Sequence, residues 1–498
     1  GRSKCLDAFV VVLSEACLGE RYFMSTVQLQ LASVQFCAAC RELSPVRLRV
    51  EDGTPRSLWA RDDDDHDDNS DNDTVSRARI VRTLRVHEVA WTLPASMLGE
   101  ASTALSKLEI LSFIGRTFND CLDDAEWPLG LRRVVLGGRF NRSVDHVLWP
   151  PTLLELTFGF EYNQPVHDIK LPRSLQSLNF GGRFNQPLSR VAWPASLRRL
   201  SFADSFNQPI HAVVWPSFLH RLEFGLAFNQ SVDGAAWPAS LQRLSFGWDF
   251  NQPIAGVAWA PSLIALKFGG SFDHPVHAAV WPASLQELSF GCAFDKPLER
   301  VSWPPALERL ALGQKFNQPL NRVAWPKLLQ HLTFGQNFNQ PVATTKWTTT
   351  KWPPSLKHLT FGWKFDRSLD GATLPASLEE LVLGGCFNQP VGGVVWPLSL
   401  KRLVFGEKFD QPIDSVLWPA SLQQLSFGDL FRQPIDGVVW PASLWRVAFG
   451  YCFSPMDAAT ISWPASLRQL TFACGSEAQL PVVPGVEICT RAKPLFQY

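Results

Sequence analysis

Phe206-Asn207-Gln208-Pro209-Ile210, then Trp215-Pro216, then Leu219-x-x-Leu222-x-Phe224-Gly225 is the phrase that decides the fold, because it returns every 22 residues. Its leading aromatic falls at Phe118, Phe140, Tyr162, Phe184 and Phe206, and onward in the same step to Phe338. After a five-residue slip the series resumes at Phe365 and runs to Phe453, sixteen copies in all. A strict short period marks a solenoid, in which each unit buries its apolar side only against its neighbours.

Each position of the phrase has a physical reading. Leu200 and Phe202, with Ser201 between them, alternate as a short strand does. Pro209 and Pro216 forbid regular helix on the way back, so the return path is extended or a tight turn. Gly181, Gly225 and Gly247 follow the strand and are expected to supply a backbone conformation that other residues resist. Asn follows the aromatic in ten copies, and stacked amides there are expected to bond one another and the loop backbone. Trp fills the site before the second Pro in fourteen copies, with Ala260 in place of that Pro after Trp259, and Leu171 and Leu374 fill it in the other two. Leu as the substitute makes this a core column rather than a stacking platform for sugars or bases.

Composition fits a globular protein, at 46% hydrophobic and 18% charged, and the repeat accounts for nearly all of the 20 Trp and 35 Phe. Net charge is zero, but eight Asp lie within residues 62–73. The remainder, 46 basic against 38 acidic residues, is about +8, too mild for nucleic-acid binding. The ten Cys are scattered, unlike a disulfide scaffold, and point to a reducing compartment, the cytoplasm or nucleus. No run of 18 apolar residues is present, so no membrane span is expected. A faint signal-like start is interrupted by Asp7 and Glu15, and a chain opening on Gly1 is expected to lack its natural start.

Around the array, residues 1–50 read as a helical segment, with apolar residues at helical spacing over 27–43. Residues 51–76 read as an acidic disordered linker, since Asp62-Asp63-Asp64-Asp65 repels itself and buries nothing. Residues 77–117 read as an N-terminal cap with an imperfect repeat, 118–474 as the solenoid, and 475–498 as an irregular cap or tail.

The phrase resembles the FNIP repeat, a 22-residue variant of the leucine-rich repeat. Phe184-Asn185-Gln186-Pro187-Leu188 and Pro194-Ala195-Ser196-Leu197 carry the likeness over about residues 100–475, with Trp-Pro where that family usually has Leu-Pro. The resemblance implies a curved array with a parallel sheet on its concave face, and no particular activity. Such arrays sometimes follow an F-box, and residues 27–43 are similar to the F-box helix that docks a Skp1-like adaptor.

For function, same-position residues should form columns along the sheet. Arg199, Arg221 and Arg243 fall in one column and, if stacked, suit an acidic or phosphorylated partner, since guanidinium forks bind those groups bidentately. Solvated charge beside the strand is the plainer reading of the same residues. Trp248 and Trp363 lie off the core Trp column and read as exposed anchors. The insertion at 343–351 should bulge as a loop.

Chemistry finds little support. His274 and His277 beside Asp273 lack a fourth metal ligand, Cys37-x-x-Cys40 has no second pair, and no phosphate loop or nucleophile elbow is present. No catalytic residue, metal or cofactor is therefore expected. The primary reading is a non-enzymatic scaffold that binds a protein on the concave face. Two alternatives stay open: an F-box-like substrate receptor of a ubiquitin ligase, and a glycan-binding repeat protein, the latter favouring secretion.

Overall fold

The computed structural model describes residues 108–113, 118–342, 351–454, 461–473 and 482–490 in full. It also gives the backbone of four earlier strands, Val10–Val11, Thr26–Gln30, Val46–Arg49 and Glu88–Trp91. The chain divides into two units, Gly1–Phe228 and Asn229–Tyr498. Both are parallel β-solenoids built from the 22-residue rung, and no helix occurs among the described residues.

In the first unit the strands Arg133–Val135, Glu155–Thr157, Ser177–Asn179, Arg199–Ser201 and Arg221–Glu223 pair parallel in chain order. Leu156, Leu178, Leu200 and Leu222 stand opposite one another. Glu88–Trp91 pairs parallel with Ile110–Phe113, which extends the same sheet to the cap region. In the second unit an unbroken parallel ladder runs from Arg243–Ser245 to Gln469–Phe472. The five-residue slip leaves the register intact, since His331 faces His358 across 27 residues. The tail, expected to be irregular, contributes one more parallel strand, Glu487–Thr490.

Each rung is a three-residue strand followed by three tight turns. In one rung the Phe184 N–H donates to Gly181 O (3.1 Å), the Val191 N–H to Leu188 O (3.3 Å) and the Leu197 N–H to Pro194 O (3.1 Å). These i to i+3 bonds fall where Pro and small polar residues favour turns and exclude helix. The strand places its central Leu inward and its flanks outward, so Leu200 is 1% exposed and Arg199 lies in water.

Two Phe columns fill the core. Phe180 and Phe184 stack at 4.0 Å within a rung, and Phe184 meets Phe206 of the next rung at 6.1 Å. The Trp column is buried or half-buried, as its Leu substitutes imply. Trp149, Trp259 and Trp281 are buried, and their indole N–H groups meet no acceptor among the described residues. These rings serve for their area rather than their hydrogen bond.

The Asn column is a ladder. Asn163 Oδ1 accepts from the Asn185 N–H and Asn185 Oδ1 from the Asn207 N–H, each at 2.9 Å. Gln186 Nε2 donates back to Asn163 Oδ1 and O at 3.0 Å. Ser forms a second ladder that the sequence reading did not anticipate: Ser196 Oγ donates to Leu175 O at 2.6 Å and Ser421 Oγ to Leu400 O at 2.7 Å. Both ladders satisfy loop groups that the strand hydrogen bonds leave over.

Two expectations need correction. The strand glycines are not there for an unusual φ, because the positive-φ glycines among the described residues are Gly234, Gly256, Gly371 and Gly485. A Cβ on Gly181 would stand 1.6 Å from Gly159 O, so close approach of successive rungs is what excludes a side chain. At the N-terminus the helix expected over 27–43 does not begin as one. Thr26–Gln30 is a strand, antiparallel to Val46–Arg49 with Val27 opposite Leu48. Val27 and Leu29 alternate with Gln28 and Gln30, the period of a strand. Residues 31–45, which carry most of the F-box resemblance, lie outside the described residues, as do the acidic run 62–73 and insertion residues 343–350.

Tyr162 stands alone in a column of Phe. It is fully buried, its hydroxyl meets no partner among the described residues, and burial with the nearby Asp145 charge pushes its pKa well up. Tyr162→Phe should stabilise the protein by about 1–3 kcal/mol, the penalty of an unsatisfied buried hydroxyl. Gly181→Ala should destabilise it strongly. Thermal unfolding of the two variants checks both signs.

Candidate functional site

The open side of the sheet is where side chains with no structural task collect. The flanking residues of each x-Leu-x strand point there, and the exact rung register aligns them in columns. In the first unit Arg133 pairs with Glu155 at 3.4 Å. Arg199 stands beside Arg221, and Arg221 is ion-paired to Glu223 on its own strand. The adjacent column is small and polar: Asn179 Nδ2 donates to Thr157 Oγ1 at 3.2 Å and Asn179 Oδ1 accepts from Ser201 Oγ.

In the second unit the charges interleave. Arg243 reaches past Ala265 to Glu287 (3.5 Å), and Arg309 approaches Glu287 from the other side (3.8 Å). Glu380 lies between His358 (3.2 Å) and Arg402. Glu379 lies between Lys357 (3.8 Å) and Lys401 (2.7 Å), and the Lys401 hydrogen bond holds its carboxyl below the usual range. Each exposed pair is worth about 0–1 kcal/mol, so the face is balanced rather than locked.

The candidate residues are therefore placed as follows. Arg199, Arg221 and Arg243 are on the open face as the spacing requires, but Arg221 and Arg243 have acidic partners. Glu223 offsets the charge of Arg221, and Glu287 two rungs on that of Arg243. Trp248 and Trp363 follow the strand glycine, off the buried Trp column. The Trp248 ring covers Gly270 of the next rung, where an added Cβ would lie 2.5 Å from it; the Trp363 ring covers Gly385 at 2.3 Å in the same sense. Phe160 covers Gly182 likewise, with the Arg183 guanidinium 5.9 Å from its ring. Trp248 still keeps 54% of its surface in water. The sequence signal for this packing was a second glycine 22 residues after each aromatic.

His274 takes the place of the ladder Gln, with a ring nitrogen 3.0 Å from Asn251 O. Among the described residues no three His, Cys, Asp or Glu side chains gather to hold a metal ion. No helix among them is long and apolar enough to cross a membrane.

The profile of the FNIP Repeat family matches residues 162–205, 294–337, 352–386 and 387–429. The circular leucine-rich-repeat protein CroV588 is similar at 30% identity, over 78% of this chain and 67% of that one, with a TM-score of 0.60. The chain belongs to the FNIP-repeat family. An internalin of Listeria monocytogenes, inlF, aligns at 14% identity over 71% of this FNIP-repeat chain and 93% of its own, with a TM-score of 0.39. No curated protein matches the chain.

Two histidines meet on this face. His331 and His358 stack at 4.3 Å, and Arg309, Lys357 and Glu380 surround them. Burial first, then His358 and Arg309, lower the pKa of His331. A His whose folded pKa is depressed binds its proton more readily unfolded, so its contribution is lost as pH falls through the unfolded value of about 6.5. Acidifying from pH 7.5 to 5.5 should lower the unfolding temperature of the native protein more than that of His331→Gln, read by calorimetry at both pH values.

Proposed function

We propose that this FNIP-repeat protein is a non-enzymatic scaffold that binds a partner protein through the open, concave-side face of its sheet. The carrying observation is the division of labour within the rung. Leu, Phe, Trp, Asn, Ser and Gly positions are absorbed by core, ladders and close backbone approach. On the sheet side, the strand flanks and the position after the glycine are left to vary. Those positions carry Arg199, Arg221, Arg243, Trp248 and Trp363.

The partner chemistry follows from these groups. Arg199 and Arg221 stand side by side and Arg221 is ion-paired to Glu223, which suits an acidic or phosphorylated segment that displaces that carboxylate. Arg243 is held by Glu287 and is the weaker contributor. Trp248 and Trp363, braced on glycine, are rings of fixed orientation, the kind of residue that dominates binding energy.

Capture from a eukaryotic lysate tests this reading. The full chain should retain proteins that an Arg199→Ser, Arg221→Ser, Arg243→Ser variant loses, with retention falling as salt rises. Trp248→Ala with Trp363→Ala should weaken the same proteins about tenfold or more, the effect of losing about 1.4 kcal/mol or more. Identical retention by native and variant chains overturns it.

A further inference from the structure

Away from the sheet, the limb between the second and third turns carries a row of large aliphatic side chains in water. Val395, Leu417 and Val439 each precede the buried Trp position of three consecutive rungs, and they are 80%, 84% and 80% exposed. Leu398, beside Val395 across the Trp-Pro pair, is 85% exposed. Ala420 and Ala442 hold the corresponding place on the next two rungs and are exposed too. The flanking rungs add Thr373, Ala376, Ser462 and Ala465, so neither column bears a charge over five rungs. The matching column of the first unit is broken by Glu126 and Lys170 around Leu148.

Nothing inside the rung requires these residues. The same position is Ala236, Ala258 or Ala324 elsewhere in the second unit, with the fold unchanged. Large aliphatics fully in water on successive rungs are the mark of a contact surface.

The border on the second-turn side of the row is acidic, while on the third-turn side Lys401 is held by Glu379 at 2.7 Å and Arg468 donates to Ala465 O at 2.7 Å. Asp414 lies three residues before Leu417 and Asp436 three before Val439, each across the second turn of its rung. Asp370 holds that place before Thr373. All three are exposed and none makes an ion pair among the described residues. The Asp370 backbone N–H donates to Ser368 Oγ at 3.1 Å, and its carboxylate pairs with no cation among the described residues. Asp414 Oδ1 accepts only the Ser415 N–H, at 2.9 Å.

We propose that this row is a docking surface for a basic amphipathic helix of a partner protein. Five rungs at about 4.8 Å cover roughly 19 Å, the length of about thirteen helical residues. A helix laid along the row has a pitch of about 5.4 Å, so one apolar side chain per turn falls near each of Val395, Leu417 and Val439. Lys or Arg on its flank meets Asp414 and Asp436, which gives the direction of charge complementarity. A second copy of this row brings another acidic border, and its Lys401 is already held by Glu379. Anionic lipid headgroups are repelled by the same carboxylates.

The test uses the full chain and two synthetic fourteen-residue helical peptides, one with Leu on one face and Lys elsewhere, the other with Glu for Lys. Fluorescence anisotropy should show the Lys peptide binding and the Glu peptide at least tenfold weaker. Leu417→Ser with Val439→Ser should weaken the Lys peptide about tenfold or more. Asp414→Asn with Asp436→Asn should weaken it several-fold and flatten its salt dependence. Arg199→Ser with Arg221→Ser should leave it unchanged, which keeps this surface separate from the sheet face. Circular dichroism confirms that the exposed substitutions preserve the fold. The proposal is overturned if both peptides bind alike, if Leu417→Ser with Val439→Ser leaves binding unchanged, or if sedimentation shows a dimer that this pair of substitutions dissolves, which would assign the row to a second copy.

Discussion

The spacing of hydrogen-bonded parallel strands, about 4.8 Å, governs everything else in this protein. Every rung must stack on the previous one at that distance, wherever the chain is in its circuit. At the end of the strand the approach is so close that Gly159 O excludes a Cβ from Gly181. In the core the same translation sets flat Phe rings one above another, as Phe184 over Phe206. In the loops it places each Asn amide under the backbone N–H of the next rung. A residue at one position is therefore always judged against its own copy one rung away.

That rule explains how charge is handled on the sheet. Like charges stacked at this spacing repel, and the open face answers with interleaved acids: Glu287 serves Arg243 and Arg309, and Glu380 serves His358 and Arg402. In the Asn ladder two of the acidic replacements recruit cations in the same way. Asp273 takes Lys296 at 2.7 Å and Asp410 takes Arg432 at 3.0 Å. Burial raises the Asp410 pKa, but hydrogen bonds from Gln433 and Arg432 outweigh it and hold the carboxyl below its usual range.

Most of the fold was legible in the phrase itself, because period, strand alternation and proline placement each act locally. The buried Trp column was legible from two substitutions, Leu171 and Leu374. The glycine was misread because a sequence shows the missing Cβ but not the neighbour that forbids it. Residues 27–30 were misread because Val and Leu spaced two apart fit a strand while the wider window fits a helix. The arginine column looked like a bare stack because its partners come from Glu223 on the same strand and Glu287 two rungs on. The aliphatic row was overlooked because a Val beside a Trp-Pro reads as core until its exposure is known.

Trp248 resting on Gly270, Trp363 on Gly385 and Phe160 on Gly182 also limit how such a gene can change length. An array of near-identical units invites loss or gain of whole copies by unequal recombination. Excising the copy that contains Gly270 would bring Cys292 beneath the Trp248 ring, and excising the one that contains Gly385 would bring Glu407 beneath Trp363. These rungs are inherited in pairs, so the array is modular everywhere except where an aromatic has claimed its neighbour's glycine.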